Sequence, residues 1–372
     1  MTTEAEQRVV SGKAWEEFCD SLKAAGSQIL RADGPTTGNT VFDRAEGWRY
    51  LTRLTRVGLE MMLEHADVDF PRFYQASNTT KKIGADNPDN NYWNCTISGA
   101  NDYRITGTRG GAPYISVGTK ANRYAIDGTM ASTGELLSSD MKIEADGSFE
   151  IIVSQKRHNG NWLPVQADST MIIIRETFLD RPNETPATWK IERISGPKYP
   201  QPLTAQQIDT ALRSTAAFVN GTATKFADWS VHFREIGFNA LPKIDQSLLL
   251  SAGGDPAIFY YHGYWEVKPD EALVIETEVP ECPFWNFELC NWWFESLDYR
   301  YLPVHINKHT AKYNKDGSCT IVIAARDVGV GNWIDTCGHD NGIMLLRWVR
   351  ANSAPEPRCK IVKLDSLKAK AA

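Results

Sequence analysis

No stretch of this 372-residue chain could cross a bilayer as a helix, because none of its apolar runs approaches the ~18 residues a span requires. The N-terminus, Met1 to Ser11, is polar and acidic, without the positive start and apolar centre of a secretory or transit signal, so a cytoplasmic protein is expected. A basic stripe is missing as well. Net charge is −6, and the one basic cluster, Lys363, Lys368 and Lys370 in the tail, reads as a solvated end, which argues against nucleic acid as a partner. The seven cysteines are odd in number and never form a Cys-x-x-Cys pair, a pattern of reduced thiols rather than of a disulfide frame or a structural zinc site. There is no Gly-x-Ser-x-Gly elbow, and no glycine-rich loop opens a helix to cradle a phosphate or dinucleotide. No cofactor is therefore expected.

What the chain does contain is one pattern written twice. Asp146-Gly147-Ser148, Ile151-Ile152-Val153, Gly160-Asn161-Trp162, Met171–Ile174 ending in Arg175, and Trp189-Lys190-Ile191 form the first copy. About 170 residues on stand Asp316-Gly317-Ser318, Ile321-Val322-Ile323, Gly331-Asn332-Trp333, Ile343–Leu346 ending in Arg347, and Cys359-Lys360-Ile361. A fixed offset of this kind is the mark of an internal repeat.

The texture of each copy is the same. Apolar residues at helical spacing predict helices over Trp15–Leu30 and Glu46–His65 before the first copy, and over Thr204–Val219 and Thr222–Ile236 before the second. Thr204-x-x-Gln207 has the form of a capping box. Short β-rich runs follow, at 92–97, 103–108, 114–117, 149–153, 171–178 and 189–194, then at 259–267, 272–278, 284–289, 320–325, 342–349 and 359–364. Both Asp-Gly pairs are turn signals, since glycine accepts the positive φ that a tight hairpin needs. The run Met171–Ile174 does not alternate and should be buried on both faces. The fold expected is mainly β with helical additions, an α+β chain of two tandem antiparallel jelly-roll-like β-sandwiches, each preceded by a helical segment. The linker Gly196–Pro202 divides it into units 1–200 and 201–372.

Asn161-Trp162-Leu163-Pro164 after an Asp-Gly-Ser hairpin, followed by an apolar strand ending in Arg175, resembles the bacterial family called domain of unknown function twelve-fourteen, which often travels with domain of unknown function twelve-fifty-four. The stretches Asp102–Gly110, Gly134-Glu135-Leu136, His262–Trp265 and Glu295–Tyr301 extend the resemblance over most of residues 40–365 as a long two-copy variant. It implies tandem sandwiches with helical additions, in environmental bacteria that degrade steroids and aromatics, and it carries no catalytic residue. Asn332-Trp333-Ile334-Asp335 departs from the Asn-Trp-Leu-Pro form.

The repeat also works as a filter. Residues present in both copies serve what both share, the fold, whereas polar residues in one copy alone are candidates for chemistry. Asn161 and Asn332, Trp162 and Trp333, and Arg175 and Arg347 are then scaffold. The unpaired polar residues gather in the second copy. If Val304–Thr310 is a strand, His305 and His309 share one face. His339, Asp298, Glu295, Asp335 and Tyr299 join them as catalytic candidates, with His262, Trp292, Trp293 and Tyr301 as an apolar wall for substrate. In the first copy Arg109, in a glycine-rich turn, could clamp an anion or simply be solvated. Histidine spacing matches no recognised metal motif, although two histidines and a carboxylate are the right residue types.

The function expected is a catabolic enzyme acting on a hydrophobic small molecule, of steroid, terpenoid or aromatic type, by hydrolytic or lyase-type acid/base chemistry. Glycoside cleavage or carbohydrate binding through Glu288, Glu295 and Asp298 amid tryptophans is an alternative. A non-catalytic binding or assembly module, in which the aromatics are an interface of a homo-oligomer, is another.

Overall fold

The computed structural model describes residues 2–35, 40–124 and 126–371. Three helices lead in: α1 (Glu4–Ser11), α2 (Lys13–Ala25) and α3 (Thr40–Leu59), the last continuing into one π-helical turn over Glu60–Glu64. Thr3 and Glu6 close a capping box at α1, each side chain accepting from the other's backbone N–H. The first set of strands follows as β1 (Asn90–Thr96), β2 (Tyr103–Thr108), β3 (Tyr114–Arg123), β4 (Thr129–Leu137), β5 (Ser148–Ser154), β6 (Asn161–Pro164), β7 (Met171–Thr177) and β8 (Thr188–Arg193). After them come α4 (Ala205–Ile236) and α5 (Gln246–Ser251). The second set is β9 (Ile258–Glu266), β10 (Glu271–Thr277), β11 (Phe284–Cys290), β12 (His305–Asn307), β13 (Cys319–Ala324), β14 (Trp333–Asp335), β15 (Asn341–Val349) and β16 (Arg358–Lys363), closed by α6 (Leu364–Ala371).

The repeat is real at the level of topology. Sheet order β1-β7-β3-β4 in the first half recurs as β9-β15-β11-β12 in the second, and β6-β5-β2-β8 recurs as β14-β13-β10-β16. All pairings are antiparallel except β5 with β6 and β13 with β14, which are parallel in both halves. Inward residues of the two facing sheets make each sandwich core: Tyr103, Ile105, Ile151, Ile172 and Ile174 in the first, Leu273, Ile275, Ile321, Leu346 and Trp348 in the second. Gly147 and Gly317 both sit at φ +83°, as the two Asp-Gly turns require.

Central strand β7 is buried on both faces, as its unbroken apolar run predicts. Its second face, with Met171 and Ile173, joins a third core made with the helices: Tyr50, Leu54 and Val57 of α3, Phe218, Phe226 and Phe233 of α4, and Tyr264, Ile343 and Leu345 of the second half. The helical segments of the two repeats therefore form one shared layer. The two helices expected between Thr204 and Ile236 are a single continuous one. Thr204 and Gln207 cap it as expected, and Gly221 does not interrupt it because Val219, Thr222 and Ala223 on either side are packed away from water.

Candidate functional site

Both sandwiches turn one sheet towards the helical layer, and the side chains on those two faces correspond position by position. Tyr92 stands opposite Arg175 across β1 and β7, as Tyr260 stands opposite Arg347 across β9 and β15. On the other side of each arginine are Ser116 of β3 and Asn286 of β11. Two residues further along lie Gly118, opposite Glu135, and Glu288, opposite His305.

Each half sends the loop before its first strand across to the other half's arginine. Arg175 donates from Nη2 to the Gly253 carbonyl at 2.6 Å, and Arg347 donates to the Ala85 carbonyl at 2.7 Å. Ala85 and Gly253 occupy equivalent positions, at φ +55° and +96°. Tyr92 accepts from Asn87 N–H and Tyr260 from Asp255 N–H, both at 2.9 Å. A non-glycine residue in the left-handed region costs about 1–2 kcal/mol, so Ala85 is held there by what its loop reaches. The loop reaches a good deal. Asn286 donates to Asn87 and Asp89, Asn307 donates to Asp89, and Ser296 donates to Asp86. Lys82, fully packed away, gives its ammonium protons to the Ser296 and Leu297 carbonyls.

Where the two faces and α3, α4 and α5 meet, they leave a cavity of about 190 Å³. Tyr92, Arg175, Tyr260, His262 and Arg347 supply its polar wall, and Ile173, Phe218, Phe226, Trp229 and Leu249 its apolar one. His262 is 4% exposed and stacks on Phe233, with ring centres 4.9 Å apart. Its Nδ1 has no partner. Burial, and after it the charge of Arg347, hold its pKa well below the usual 6.5, so the ring is neutral. Arg347 meets Glu288 at 2.5 Å in a fully buried pair; burial pushes the Glu288 carboxyl up to about 7, against the pull of the guanidinium. Among the described residues no carboxylate lies within ion-pair distance of Arg175; its Nη1, like that of Arg347, is buried without a hydrogen bond, so the ion pair with Glu288 is what separates the two arginines.

A second recess, of about 240 Å³ and mostly polar, lies between α3 and the second sandwich. His339 takes one hydrogen bond to Glu46 at 2.6 Å and another to the Thr336 carbonyl at 2.9 Å. Burial works against its charged form, but Glu46 outweighs burial and its pKa stands above the ordinary value. Glu295 is paired with Arg53 at 2.5 Å and bridged to Glu46 through Asn291. Cys337, half-buried at the rim, has a thiol raised to about 12 by burial, the opposite of a nucleophile's.

The residues singled out from the sequence are therefore dispersed. Glu295, Asp298 and His339 share the polar recess, with Asp298 held by Arg300 at 2.7 Å and its carboxyl lowered to about 2 by that hydrogen bond. Asp335 caps the turn that follows β14 by accepting from Cys337 N–H. His305 and His309 do not share a face: β12 ends at Asn307, so His305 points inward to Asp89 at 3.2 Å while His309 is exposed, 3.7 Å from Asp180. Tyr299 packs edge-on to His305 and takes the Lys82 ammonium on its ring face. Only His262 of the predicted set lines the central cavity. Trp292 and Trp293 are 2% exposed inside this single chain, packed between the helices and the second sandwich, so they are not a surface patch. Tyr301 is 79% exposed, and Arg109 caps its own turn by donating to the Ala112 carbonyl. Glu288, Glu295 and Asp298 each answer a different arginine, and Glu288 lines neither hollow.

The scaffold reading of the duplicated asparagines holds. Asn161 bonds the Lys142 N–H and carbonyl and the Glu150 carbonyl, and Asn332 repeats this with Lys312 and Thr320. Of the duplicated arginines, Arg347 is tied to Glu288 inside the protein, and both line the cavity between the two faces.

The family model described as protein of unknown function (DUF1214) matches residues 82–177 and 270–352, one segment in each half. An uncharacterized protein from Burkholderia cenocepacia of known crystal structure is 46% identical, covering 97% of this chain and 99% of its own, with a TM-score of 0.94. This chain belongs to the DUF1214 family. The VPA0106 protein from Vibrio parahaemolyticus is 12% identical over 86% of this chain and 98% of its own, with a TM-score of 0.49. No curated protein matches. Both DUF1214 segments include an inward arginine and its partner strand, and the first begins at Lys82, at the head of the crossing loop.

Proposed function

We propose that this DUF1214 protein is a catabolic enzyme that takes a hydrophobic small molecule into the central cavity and works on it by acid/base chemistry of the hydrolytic or lyase type. The observation that carries this reading is His262: a neutral imidazole with one free nitrogen, stacked on Phe233 in the wall of the cavity. That is the state in which histidine accepts a proton. The hydroxyls of Tyr92 and Tyr260, which accept from backbone N–H groups, stand ready to donate towards the same space. The volume favours a single ring over a fused steroid nucleus, since benzene fills a cavity of about 150 Å³. All seven cysteines are free thiols, which supports a reducing compartment such as the cytoplasm, and among the described residues no helix is long and apolar enough to cross a membrane.

The test is a panel of monocyclic aromatic and terpenoid compounds, with binding followed through the fluorescence of Trp229 and conversion by mass spectrometry. A His262→Gln variant should bind as before and lose about 10²–10⁴-fold in turnover. Wild-type turnover in that variant removes the base; failure of every compound to bind removes the cavity.

A further inference from the structure

We infer that the ligand of the central cavity is an anion, a single-ring carboxylate whose carboxyl group pairs with Arg175 as Glu288 pairs with Arg347. The inference rests on the cavity being the ligand site and adds the chemical class of what it takes.

The symmetry between the two halves breaks at this pair of arginines. Arg175 and Arg347 hold equivalent positions, face equivalent tyrosines and donate to equivalent carbonyls from the opposite half. Arg347 has a carboxylate in ion-pair contact and Arg175 does not. At the position of Glu288 the first half has Gly118, so β3 offers Arg175 no carboxylate. The nearby acids, Asp255 and Glu135, favour the charged guanidinium from a distance, but neither comes within ion-pair reach of it. Glu135 is drawn to Lys120 at 2.5 Å and to Ser132 at 2.7 Å, and it closes the space over Gly118, where a Cβ would lie 2.7 Å from its carboxylate. Asp255 accepts from the Tyr114 hydroxyl at 3.2 Å and from Ala257 N–H at 2.9 Å. A guanidinium out of bulk water without a counter-ion costs several kcal/mol, and a carboxylate presented to its planar fork recovers this.

The remaining wall fixes the rest of the ligand. Phe218, Phe226 and Trp229 of α4, with Ile173 and Leu249, form an apolar surface that a flat ring would cover. A carboxylate bound at Arg175 would lie in the same cavity as His262.

Titration of the full chain with benzoate and with its neutral isostere benzamide tests this. Benzoate should bind at least 10-fold more tightly than benzamide to the wild type, and Arg175→Gln should abolish that preference without lowering benzamide affinity. Arg109→Gln, far out on a first-half turn, should change neither. Equal affinity for the two compounds in the wild type overturns the anionic class and leaves the cavity standing, and this comparison needs no variant to fold. A preference that survives in a folded Arg175→Gln protein overturns the assignment of the carboxylate to Arg175. Binding of neither compound overturns both this inference and the reading beneath it.

Discussion

The two halves share a strand order, a turn chemistry and an inward arginine, yet they treat that arginine differently. In the second half Arg347 is 5% exposed and ion-paired with the fully buried Glu288, and beside them Asp89 gathers Asn286, His305 and Asn307. In the first half Arg175 is half-buried, faces the cavity and donates to the Gly253 carbonyl, with Asp255 and Glu135 acting on it only from beyond ion-pair distance. A duplicated charge has become a structural tie in one copy and an open cation in the other. Duplication preserves the position, and the neighbours decide its use.

The sharpest way to break the comparison is to remove each arginine. Arg347→Met strands Glu288 in the core and should cost about 3–5 kcal/mol in denaturant unfolding, whereas Arg175→Met strands no carboxylate and should cost about 1 kcal/mol. Adding Glu288→Leu to Arg347→Met should restore much of the loss. Equal costs at the two arginines would erase the distinction drawn between the halves.

A smaller difference is expected at the paired asparagines. Asn332 is 6% exposed and Asn161 is half-buried, although both make the same three bonds. Asn332→Ala should destabilise by about 1–3 kcal/mol and Asn161→Ala by about 1 kcal/mol, because water can replace partners only at the more open site.

The Glu46–His339 pair of the polar recess should show itself through pH. Despite burial, the Glu46 carboxyl is lowered from 4.5 by its bond to His339, so its contribution is complete above about pH 4.5 and lost as pH falls through the folded value. His339 is raised from 6.5, so its contribution is complete below about pH 6.5 and lost as pH rises through the folded value. The melting-temperature gap between wild type and His339→Gln should therefore be widest between those limits and narrow on both sides. A gap that is flat with pH would show that the pair is not ionised. Least of all should change in Asp298→Asn, His309→Ala and Tyr301→Ser, which act at exposed or half-exposed positions and should stay within about 0.5 kcal/mol.

Much of the fold could be read from the chain because its signals are local. The strands missed were β4, β6, β12 and β14, which stand at sheet edges in the same places of both halves. Thr129–Leu137 is largely open to water and His305–Asn307 is only three residues long, so neither carries enough apolar residues to reveal itself. The site was legible only in part. His262 was found as one member of an apolar group, but Arg175 and Arg347 were set aside because they occur twice. A signal was present: each arginine follows four apolar residues in a strand with both faces covered, where a charge needs a reason. The crossing loops left a second one, Asn87-Pro88 and Asp255-Pro256 at the same offset as Tyr92 and Tyr260.

By itself the sequence determined the repeat, the sandwich strands and the turns, since periodicity and Asp-Gly chemistry act over a few residues. Tertiary structure alone decided that the loop before each first strand crosses to the other half, and that one arginine meets a glutamate while its twin meets a glycine. Those outcomes depend on contacts between residues that a linear pattern cannot bring together, and burial then gives the lone charge at Arg175 its weight.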